Sequence, residues 1–165
     1  METRVREATL RHEGGMRFSV STGSGRTLVF GDEAARGELS PVETVAAALA
    51  GCSAMDVIAI LTKKRQRVAS YGVSVSAVQR AEYPQVLTTI EVVHDVSGPN
   101  VTEEAVRRAI ELSATTYCPV SAMLSAGETS IHYRYVVRGT GSSPFEASGE
   151  VVVTGPYRRP EVVRG

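Results

Sequence analysis

Alternating apolar and polar residues near the start of the chain predict short β-strands. The alternation covers 16–20, and Thr-Gly-Ser-Gly at 22–25 supplies a turn before a second extended run over 27–30. A loop rich in glycine and acidic residues follows over 31–38. Residues 1–39 are therefore expected to form a set of N-terminal strands and turns.

The next segment, 40–65, has the pattern of one long helix. Ser40 can cap the first turn, Pro41 suits the first helical position, and Glu43 completes a capping box. Over 45–61 the residues are apolar on nearly every side, which favours a central helix buried all round. Polar residues interrupt this run, so a membrane span is not expected. Such a helix is long for a domain of this size, and a partner subunit is expected to wrap around it.

Period-two alternation returns after the helix and predicts two strands joined by a turn. The strands are the runs over 73–78 and 87–96, and Tyr-Pro-Gln at 83–85 separates them. Alternation over 131–137 predicts a terminal strand. Residues 66–138 are therefore expected to form a second half built from strands and helices.

Two shorter helices are predicted within this second half. Thr102 is a helix cap with acidic residues after it, and this helix extends to about Thr116. Tyr-Cys-Pro at 117–119 interrupts it, because a residue before proline is displaced from helical angles. A third, short helix is expected from the proline to about Ala126.

The chain length fits one domain followed by a tail. A chain of 165 residues can bury a core without disulfides or metals, and the expected domain is 1–138. The composition becomes linker-like at 139–144, so 139–165 is expected to be a C-terminal extension. Within the extension, 150–154 either pairs as an edge strand or stays loosely ordered.

Charge and composition exclude several classes of partner. The 18 basic residues balance the 18 acidic ones, so no nucleic-acid field is expected. The chain has no tryptophan and only 5% aromatic residues, which argues against a base-stacking surface. The N-terminus lacks the apolar core of a signal peptide, so the expected compartment is the reducing cytoplasm, without a membrane partner.

The chain has two cysteines, Cys52 and Cys118, which could form a disulfide, half of a metal site or a redox pair. A permanent disulfide is disfavoured in the cytoplasm. The chain has no CxxC motif and no histidine at ligand spacing, so neither a metal nor an organic cofactor is expected. The three histidines are expected to be partly exposed strand residues: His12, His94 and His132.

Local arguments give the two thiols different characters. Cys118 caps the predicted third helix, where backbone N–H groups lower a thiol's pKa. Cys52 lies mid-helix among alanines and is either a small buried hydrophobe or a nucleophile that needs a cation from elsewhere. Asp56, one turn after Cys52, must be paired or protonated. It either makes a structural hydrogen bond, for example to Tyr117, or handles protons at the thiol.

Two motifs resemble the OsmC/Ohr family of osmotically induced and organic hydroperoxide resistance proteins. One joins Ser-Pro-x-Glu at 40–43 to Ala-Ala-Ala-Leu-Ala-Gly-Cys, which ends at Cys52, and the other is Leu-Ser-x-x-x-Tyr-Cys-Pro-Val at 112–120. Cys-Ser-Ala-Met-Asp-Val at 52–57 resembles the YhfA-like branch. The resemblance covers about residues 4–137. It implies an α+β fold with antiparallel sheets around a long buried central helix, in an intertwined homodimer.

The resemblance also implies a role for each thiol. Cys52 would be the peroxidatic thiolate that attacks the O–O bond, becomes a sulfenic acid and releases an alcohol. Cys118 would resolve the sulfenic acid as an intramolecular disulfide, which a dithiol or a lipoylated protein would reduce. This order is the opposite of the local argument, which makes Cys118 the more acidic thiol.

The sequence departs from the family pattern where a thiolate-activating pair is expected. Hydroperoxide-resistance members have a glutamate directly after the helix-start proline, whereas this chain has Val42 there and Glu43 one residue later. The best positional match for the activating arginine is Arg17, with Arg26 second. The alternative for Arg17 is a solvated strand residue.

Three hypotheses follow. The first is a cysteine-based peroxidase for organic hydroperoxides or hydrogen peroxide in oxidative-stress defence, with Cys52, Cys118, Arg17 and Asp56 as site residues. The second is a low-turnover redox sensor or small-molecule-binding protein that uses the same thiols. The third is a structural dimer with incidental cysteines. A second copy, a peroxide and a dithiol or lipoylated reductant are the expected partners.

Overall fold

The computed structural model describes residues 3–32 and 38–155 of the chain. They belong to two compact units, Met1–Val45 and Ala46–Gly165. The described part has the predicted α+β character, with a three-stranded sheet in the first unit and a four-stranded sheet in the second. Most of the loop predicted over 31–38 lies outside the described residues.

The first unit is an antiparallel three-stranded sheet, as the alternation predicts for its last two strands. Its strands are β1 (Ala8–Gly14), β2 (Arg17–Thr22) and β3 (Thr27–Phe30), in that spatial order. Gly15, between β1 and β2, has a φ of 55°, a conformation that costs glycine little. Gly25 in the second turn has a φ of 76°, which glycine also adopts at little cost.

The long helix α1 covers Pro41–Lys63, close to the predicted 40–65. Its start is the capping box that the sequence predicts. The Glu43 backbone N–H donates to the Ser40 hydroxyl at 3.1 Å, and the Ser40 N–H donates to Glu43 Oε2 at 2.9 Å. Two otherwise unpaired donors are thus satisfied reciprocally, which fixes where the helix begins.

The second unit contains a mixed four-stranded sheet. Its strands are β4 (Ser70–Gln79), β5 (Leu87–Gly98), β6 (Ser130–Gly139) and β7 (Phe145–Val153), in that spatial order. The neighbouring strands pair antiparallel at β4–β5 and β6–β7, but β5 and β6 are parallel. The parallel pair follows from the long helical connection between β5 and β6, because parallel strands need a crossover. The predicted strand pair and the strand over 131–137 are confirmed.

Helices α2 (Glu103–Leu112) and α3 (Pro119–Ser125) form this crossover, with one π-helical turn, Ser113–Tyr117, between them. The Thr102 hydroxyl accepts from the backbone N–H of residue 105 at 3.2 Å, so the predicted cap of α2 is confirmed. The predicted boundary between the two helices is also confirmed. The wider π turn that fills the boundary has no signal in the pattern of apolar residues.

The region after residue 138 is more ordered than a linker. Strand β7 pairs with β6 over its whole length, so the edge-strand alternative for 150–154 is the observed one as far as Val153. Gly149 lies directly opposite Tyr135, whose hydroxyl occupies the place that a Cβ at Gly149 would need. Residues 156–165 of the predicted extension lie outside the described residues.

The prediction that α1 is buried all round is wrong for the single chain. Buried positions lie along one face: Leu49, Ala50, Ser53, Val57 and Leu61. Met55 is 74% exposed and Ile58 is 37% exposed. By length and composition α1 is apolar enough to cross a membrane, a property that core helices of soluble proteins share. The described chain therefore buries one face of a helix whose sequence is apolar on nearly every side.

Candidate functional site

The fold of the second unit brings the two cysteines together. Cys52 lies in α1, and Cys118 lies between the π turn and α3. Both are free thiols. Their sulfur atoms and a carboxylate oxygen of Asp56 all lie within 4.8 Å of one another. A disulfide needs a sulfur–sulfur distance of about 2.05 Å, so the two sulfur atoms would have to approach each other by at most about 3 Å.

The π turn positions Cys118. The Cys118 backbone N–H donates to the Ser113 carbonyl at 2.9 Å, which closes the turn. Cys118 then serves as the N-cap of α3, and its sulfur accepts from the Ser121 N–H at 3.3 Å. The predicted cap at Cys118 is therefore confirmed. Single π turns of this kind are frequent at functional sites.

The helix-cap position nevertheless does not make Cys118 acidic. Burial raises the pKa of the Cys118 thiol, and its hydrogen bond with Cys52 raises that pKa further, while the Ser121 N–H lowers it. The side chain is only 3% exposed, and α3 has just 7 residues, so desolvation outweighs the helix end. The prediction of an acidic Cys118 is wrong. In the reduced pair Cys118 is suited to be the protonated partner that donates to Cys52.

Cys52 is the accessible member of the pair. It is half-buried, and Gly51 beside it is exposed with open space where a Cβ would lie. The fully buried environment expected for a thiol among alanines is therefore not observed. A peroxide can approach Cys52 more readily than Cys118.

Asp56 is paired, as its position on α1 requires, but not with Tyr117. The Ser113 hydroxyl donates to Asp56 Oδ2 at 2.9 Å, and Tyr117 is instead 56% exposed. Because Ser113 is buried at the start of the π turn, this hydrogen bond ties α1 to the turn that holds Cys118. Asp56 thus keeps its carboxylate beside both thiols.

Tyr133 on β6 is a residue of this site that the sequence argument missed. Its hydroxyl is buried and has no hydrogen-bond partner among the described residues. Burial raises the pKa of the Tyr133 phenol, the nearby Ser121 side chain lowers it, and negative charge on the two thiols and Asp56 would raise it further, so the hydroxyl lies in the neighbourhood of the thiols. The alternation over 131–137 does put Tyr133 on the inward face, and that was the available signal.

The prediction of a partly exposed His94 is wrong. This histidine is fully buried on β5, and its two ring nitrogens lie 3.2 Å from the Ser53 hydroxyl and 2.8 Å from the Tyr71 hydroxyl. Burial lowers the pKa of His94 to about 4. The ring is therefore neutral at pH 7 and links α1 to β4 and β5. His12 is exposed and His132 is half-buried, as expected.

Arg17, the predicted activating cation, forms an ion pair within its own unit. Its Nη1 lies 2.6 Å from Glu38 Oε1, and its side chain is 54% exposed. Arg26, the second match, lies in the exposed turn after β2. Glu43 is engaged in the capping box and does not replace the glutamate of the family pattern. An activating role of Arg17 on Cys52 stays a prediction.

Comparison with known proteins agrees with the motifs and the fold. The family described as OsmC-like protein matches residues 31–140, more than half of the chain. Protein YhfA of Escherichia coli (strain K12) is 34% identical over 131 residues, which are 79% of this chain and 98% of that protein.

Solved structures give the same result. A hypothetical protein from Aquifex aeolicus VF5 is 28% identical with a TM-score of 0.74, over 82% of this chain and 97% of that one. An organic hydroperoxide resistance protein from Elizabethkingia anophelis has a TM-score of 0.64 over 84% of this chain and 99% of that one. At 16% identity this second likeness concerns the fold alone. With the family match and the relative at 34% identity, the chain belongs to the OsmC-like protein family.

Proposed function

We propose that the protein is a thiol-dependent peroxidase that reduces organic hydroperoxides or hydrogen peroxide in oxidative-stress defence. The observation that carries this proposal is the thiol pair. Two free thiols, one accessible and one buried, lie within 4.8 Å of each other in a fold that organic hydroperoxide resistance proteins share. We place the activity in the cytoplasm, in a homodimer, with a dithiol or a lipoylated protein as the reductant.

The reaction needs no metal or organic cofactor. The Cys52 thiolate attacks one oxygen of the peroxide, the O–O bond breaks, and the second oxygen leaves as an alcohol or water after taking a proton. Cys52 is thereby oxidised by two electrons to a sulfenic acid. Cys118 then attacks the Cys52 sulfur, a disulfide forms, and the sulfenic oxygen leaves as water. Two electrons from the dithiol reductant restore both thiols.

The different environments of the two thiols support this division of roles. A buried thiol with a raised pKa stays protonated and is protected from direct oxidation. The Cys118 proton can leave with the sulfenic oxygen as water, so the resolving step needs no other proton donor. Cys52, the half-buried thiol, is the one that meets the peroxide.

Two charged residues complete the proposed site. Asp56, held by Ser113, has a carboxylate oxygen within 4.8 Å of both sulfur atoms and either handles protons or anchors α1 to the π turn. Arg17 is the proposed cation that favours the Cys52 thiolate. Arg17 pairs with the carboxylate of Glu38, whereas the family pattern has its glutamate directly after the helix-start proline.

A second candidate function is a redox sensor or small-molecule-binding protein that oxidises once and turns over poorly. The observation that favours it is Val42 at the position of the family's glutamate, with Glu43 engaged in capping. Without that carboxylate, only Glu38 pairs with the proposed activating arginine among the described residues, and Glu38 is not at the position of the family's glutamate. The two functions share the thiol pair and differ in turnover.

Counting thiols separates these functions from a structural role. Reduced protein treated with one equivalent of cumene hydroperoxide should lose both thiols and form one intramolecular disulfide. Cys52→Ser should slow the loss of the remaining thiol by at least about 1,000-fold, because the nucleophile is removed. Cys118→Ser should instead accumulate a sulfenic acid that dimedone traps. Retention of both thiols in the parent protein would refute the proposal.

Steady-state turnover separates the catalyst from the sensor. With dithiothreitol or dihydrolipoamide in excess, a peroxidase consumes many equivalents of peroxide per chain, whereas a sensor consumes about one. Cys52→Ser is the background control for direct reaction of the reductant with the peroxide. Continuous consumption supports the peroxidase, and a single equivalent supports the sensor.

A further inference from the structure

The thiol cluster also contains the donor set of a metal site. Linear spacing argued against metal binding, because the chain has no CxxC motif and no histidine near either cysteine. The fold overrides this argument by bringing donors from separate elements together. The sulfur atoms of Cys52 and Cys118 and an oxygen of Asp56 lie within 4.8 Å of one another.

The spacing suits a small tetrahedral ion of the zinc type. With metal–sulfur bonds of about 2.3 Å, two thiolates on one ion lie about 3.7 Å apart. Three donors spread over at most 4.8 Å need to move by only about 1 Å to reach this arrangement. Two thiolates and one carboxylate leave the fourth position open to water or another ligand.

The surroundings orient the donors as the outer shell of a metal site does. The Ser113 hydroxyl donates to Asp56 Oδ2 at 2.9 Å and leaves the other carboxylate oxygen available. The Ser121 N–H donates to the Cys118 sulfur at 3.3 Å, which favours a thiolate there. These hydrogen bonds fix two of the three donors on different elements.

A second observation points to a ligand in this cluster. Tyr133 is fully buried, and its hydroxyl lacks a hydrogen-bond partner among the described residues. An unpaired buried hydroxyl is costly, so such groups commonly face a bound molecule or ion site. A water or anion at the fourth position of the metal would give Tyr133 an acceptor.

We propose that the reduced protein binds one thiophilic divalent ion, such as Zn²⁺ or Cd²⁺, through Cys52, Cys118 and Asp56. Binding displaces the thiol protons to solvent and moves no electrons. A two-electron oxidant such as a peroxide converts the two thiolates into a disulfide, which removes both sulfur ligands and releases the ion. The bound metal and the disulfide are thus mutually exclusive states of one site.

This inference does not depend on peroxidase turnover. It requires only that the two thiols and the carboxylate converge on one ion. A protein that failed the peroxide assay could still bind metal, and an active peroxidase could fail to bind it. The two proposals are therefore tested by separate measurements, with the peroxide assays run in chelator-treated buffer.

Cadmium titration of the reduced full-length protein tests the site directly. Sulfur-to-cadmium charge transfer in the ultraviolet should rise to saturation at one ion per chain, and Zn²⁺ should compete for the same site. Cys52→Ser and Cys118→Ser should each lose most of this absorbance. Prior oxidation with diamide should abolish it. No saturable signal, or saturation at one ion per two chains, would overturn the proposal.

The carboxylate distinguishes a three-ligand site from simple chelation by two thiols. Asp56→Asn should weaken cadmium binding by about 10- to 100-fold. Ser113→Ala should weaken it less, because it removes only the hydrogen bond that orients the carboxylate. Asp95→Asn is the matched control, because Asp95 is an exposed residue of β5 whose carboxylate pairs with Arg138 on β6. Circular dichroism verifies that each variant is folded. Parental affinity in both Asp56→Asn and Ser113→Ala would rule out the carboxylate as a ligand.

Discussion

At the residue scale, local context and tertiary environment give opposite answers for the same thiol. Cys118 has the helix-end position and the Ser121 N–H that lower a thiol's pKa, yet burial and Cys52 raise it. Burial has the larger effect because desolvation acts on the whole thiolate, whereas the backbone N–H groups of residues 120 and 121 at the end of a short helix lower the pKa only in part. The sequence reveals the cap but not the depth of the site. For this reason the order of the two thiols could only be inferred from the family resemblance.

Tyr133 provides a prediction at this scale. Tyr133→Phe removes a buried hydroxyl without a partner among the described residues, so the free energy of unfolding should stay constant or rise by up to about 1 kcal/mol. The rate of Cys52 oxidation should fall, because the hydroxyl is the available donor to a peroxide oxygen beside the thiols. Urea unfolding measures the first effect, and stopped-flow reaction with cumene hydroperoxide measures the second.

The neighbouring inward residue of β6 supplies the control. Tyr135 donates a hydrogen bond to Glu103, so Tyr135→Phe should lower the free energy of unfolding by about 1 kcal/mol and leave thiol oxidation unchanged. If Tyr133→Phe instead destabilised the protein as Tyr135→Phe does and left the oxidation rate unaltered, the hydroxyl would be structural.

At the element scale, the sequence predicts regular structure well and its interruptions poorly. The capping box at Ser40, the cap at Thr102 and the proline at 119 set helix boundaries through local hydrogen bonds, which the sequence shows. The π turn between α2 and α3 has no comparable local signal. The two cysteines and Asp56 could therefore be proposed as site residues from the sequence. Ser113, the hydrogen-bond partner of Asp56, could not.

The burial of His94 follows from the period-two pattern of β5. Every second residue of β5 is buried, at positions 90, 92, 94, 96 and 98, so His94 shares its face with valines. A histidine on that face must be neutral and hydrogen-bonded, as its contacts with Ser53 and Tyr71 confirm. The alternation along the whole strand therefore predicts a core position for this histidine.

The buried histidine predicts acid sensitivity. Its pKa is lowered from 6.5 to about 4, so the unfolded chain takes up the proton first as the pH falls. Stability contributed by the neutral ring is complete above pH 6.5 and is lost progressively as the pH drops towards 4. Between pH 7 and pH 5 the free energy of unfolding should fall by about 2 kcal/mol from this residue alone. Urea unfolding at several pH values measures the slope.

Comparison of two histidine variants assigns that slope. In His94→Asn the dependence between pH 7 and pH 5 should flatten, although the variant itself is less stable. His12→Gln changes an exposed histidine and should keep the parental slope. Carboxylates such as Glu150, whose pKa is lowered by its hydrogen bond with His132, affect stability below this pH range. An equal slope in His94→Asn and the parent would exclude His94 as the sensor.

At the scale of the whole molecule, α1 is the helix whose apolar surface the described chain leaves partly exposed. The sequence pattern is apolar on nearly all sides, but the structure buries one face and leaves Met55 and Ile58 exposed. Exposed apolar surface of this kind commonly marks an interface. The intertwined homodimer implied by the family resemblance would cover it, and the helix that forms the interface would then also carry Cys52.

This arrangement predicts that charge on the exposed face separates the subunits. In the dimer, Met55→Asp combined with Ile58→Asp would bury two carboxylates without partners, which costs several kcal/mol and should weaken association by at least about 100-fold. Analytical ultracentrifugation measures the dissociation. Tyr83→Asp, an equally apolar-to-acidic change in the exposed turn between β4 and β5, should leave the dimer intact.

Thiol oxidation in the double variant then shows where the activating cation comes from. The cluster of Cys52, Cys118 and Asp56 lies within one chain, so a monomer keeps both thiols in place. If a second subunit provides the cation or closes the peroxide site, the monomer should form its disulfide more slowly than the Tyr83→Asp dimer at the same peroxide concentration. Equal rates would assign the whole reaction to one chain, and a double variant that stayed dimeric would show that this face of α1 is not the interface.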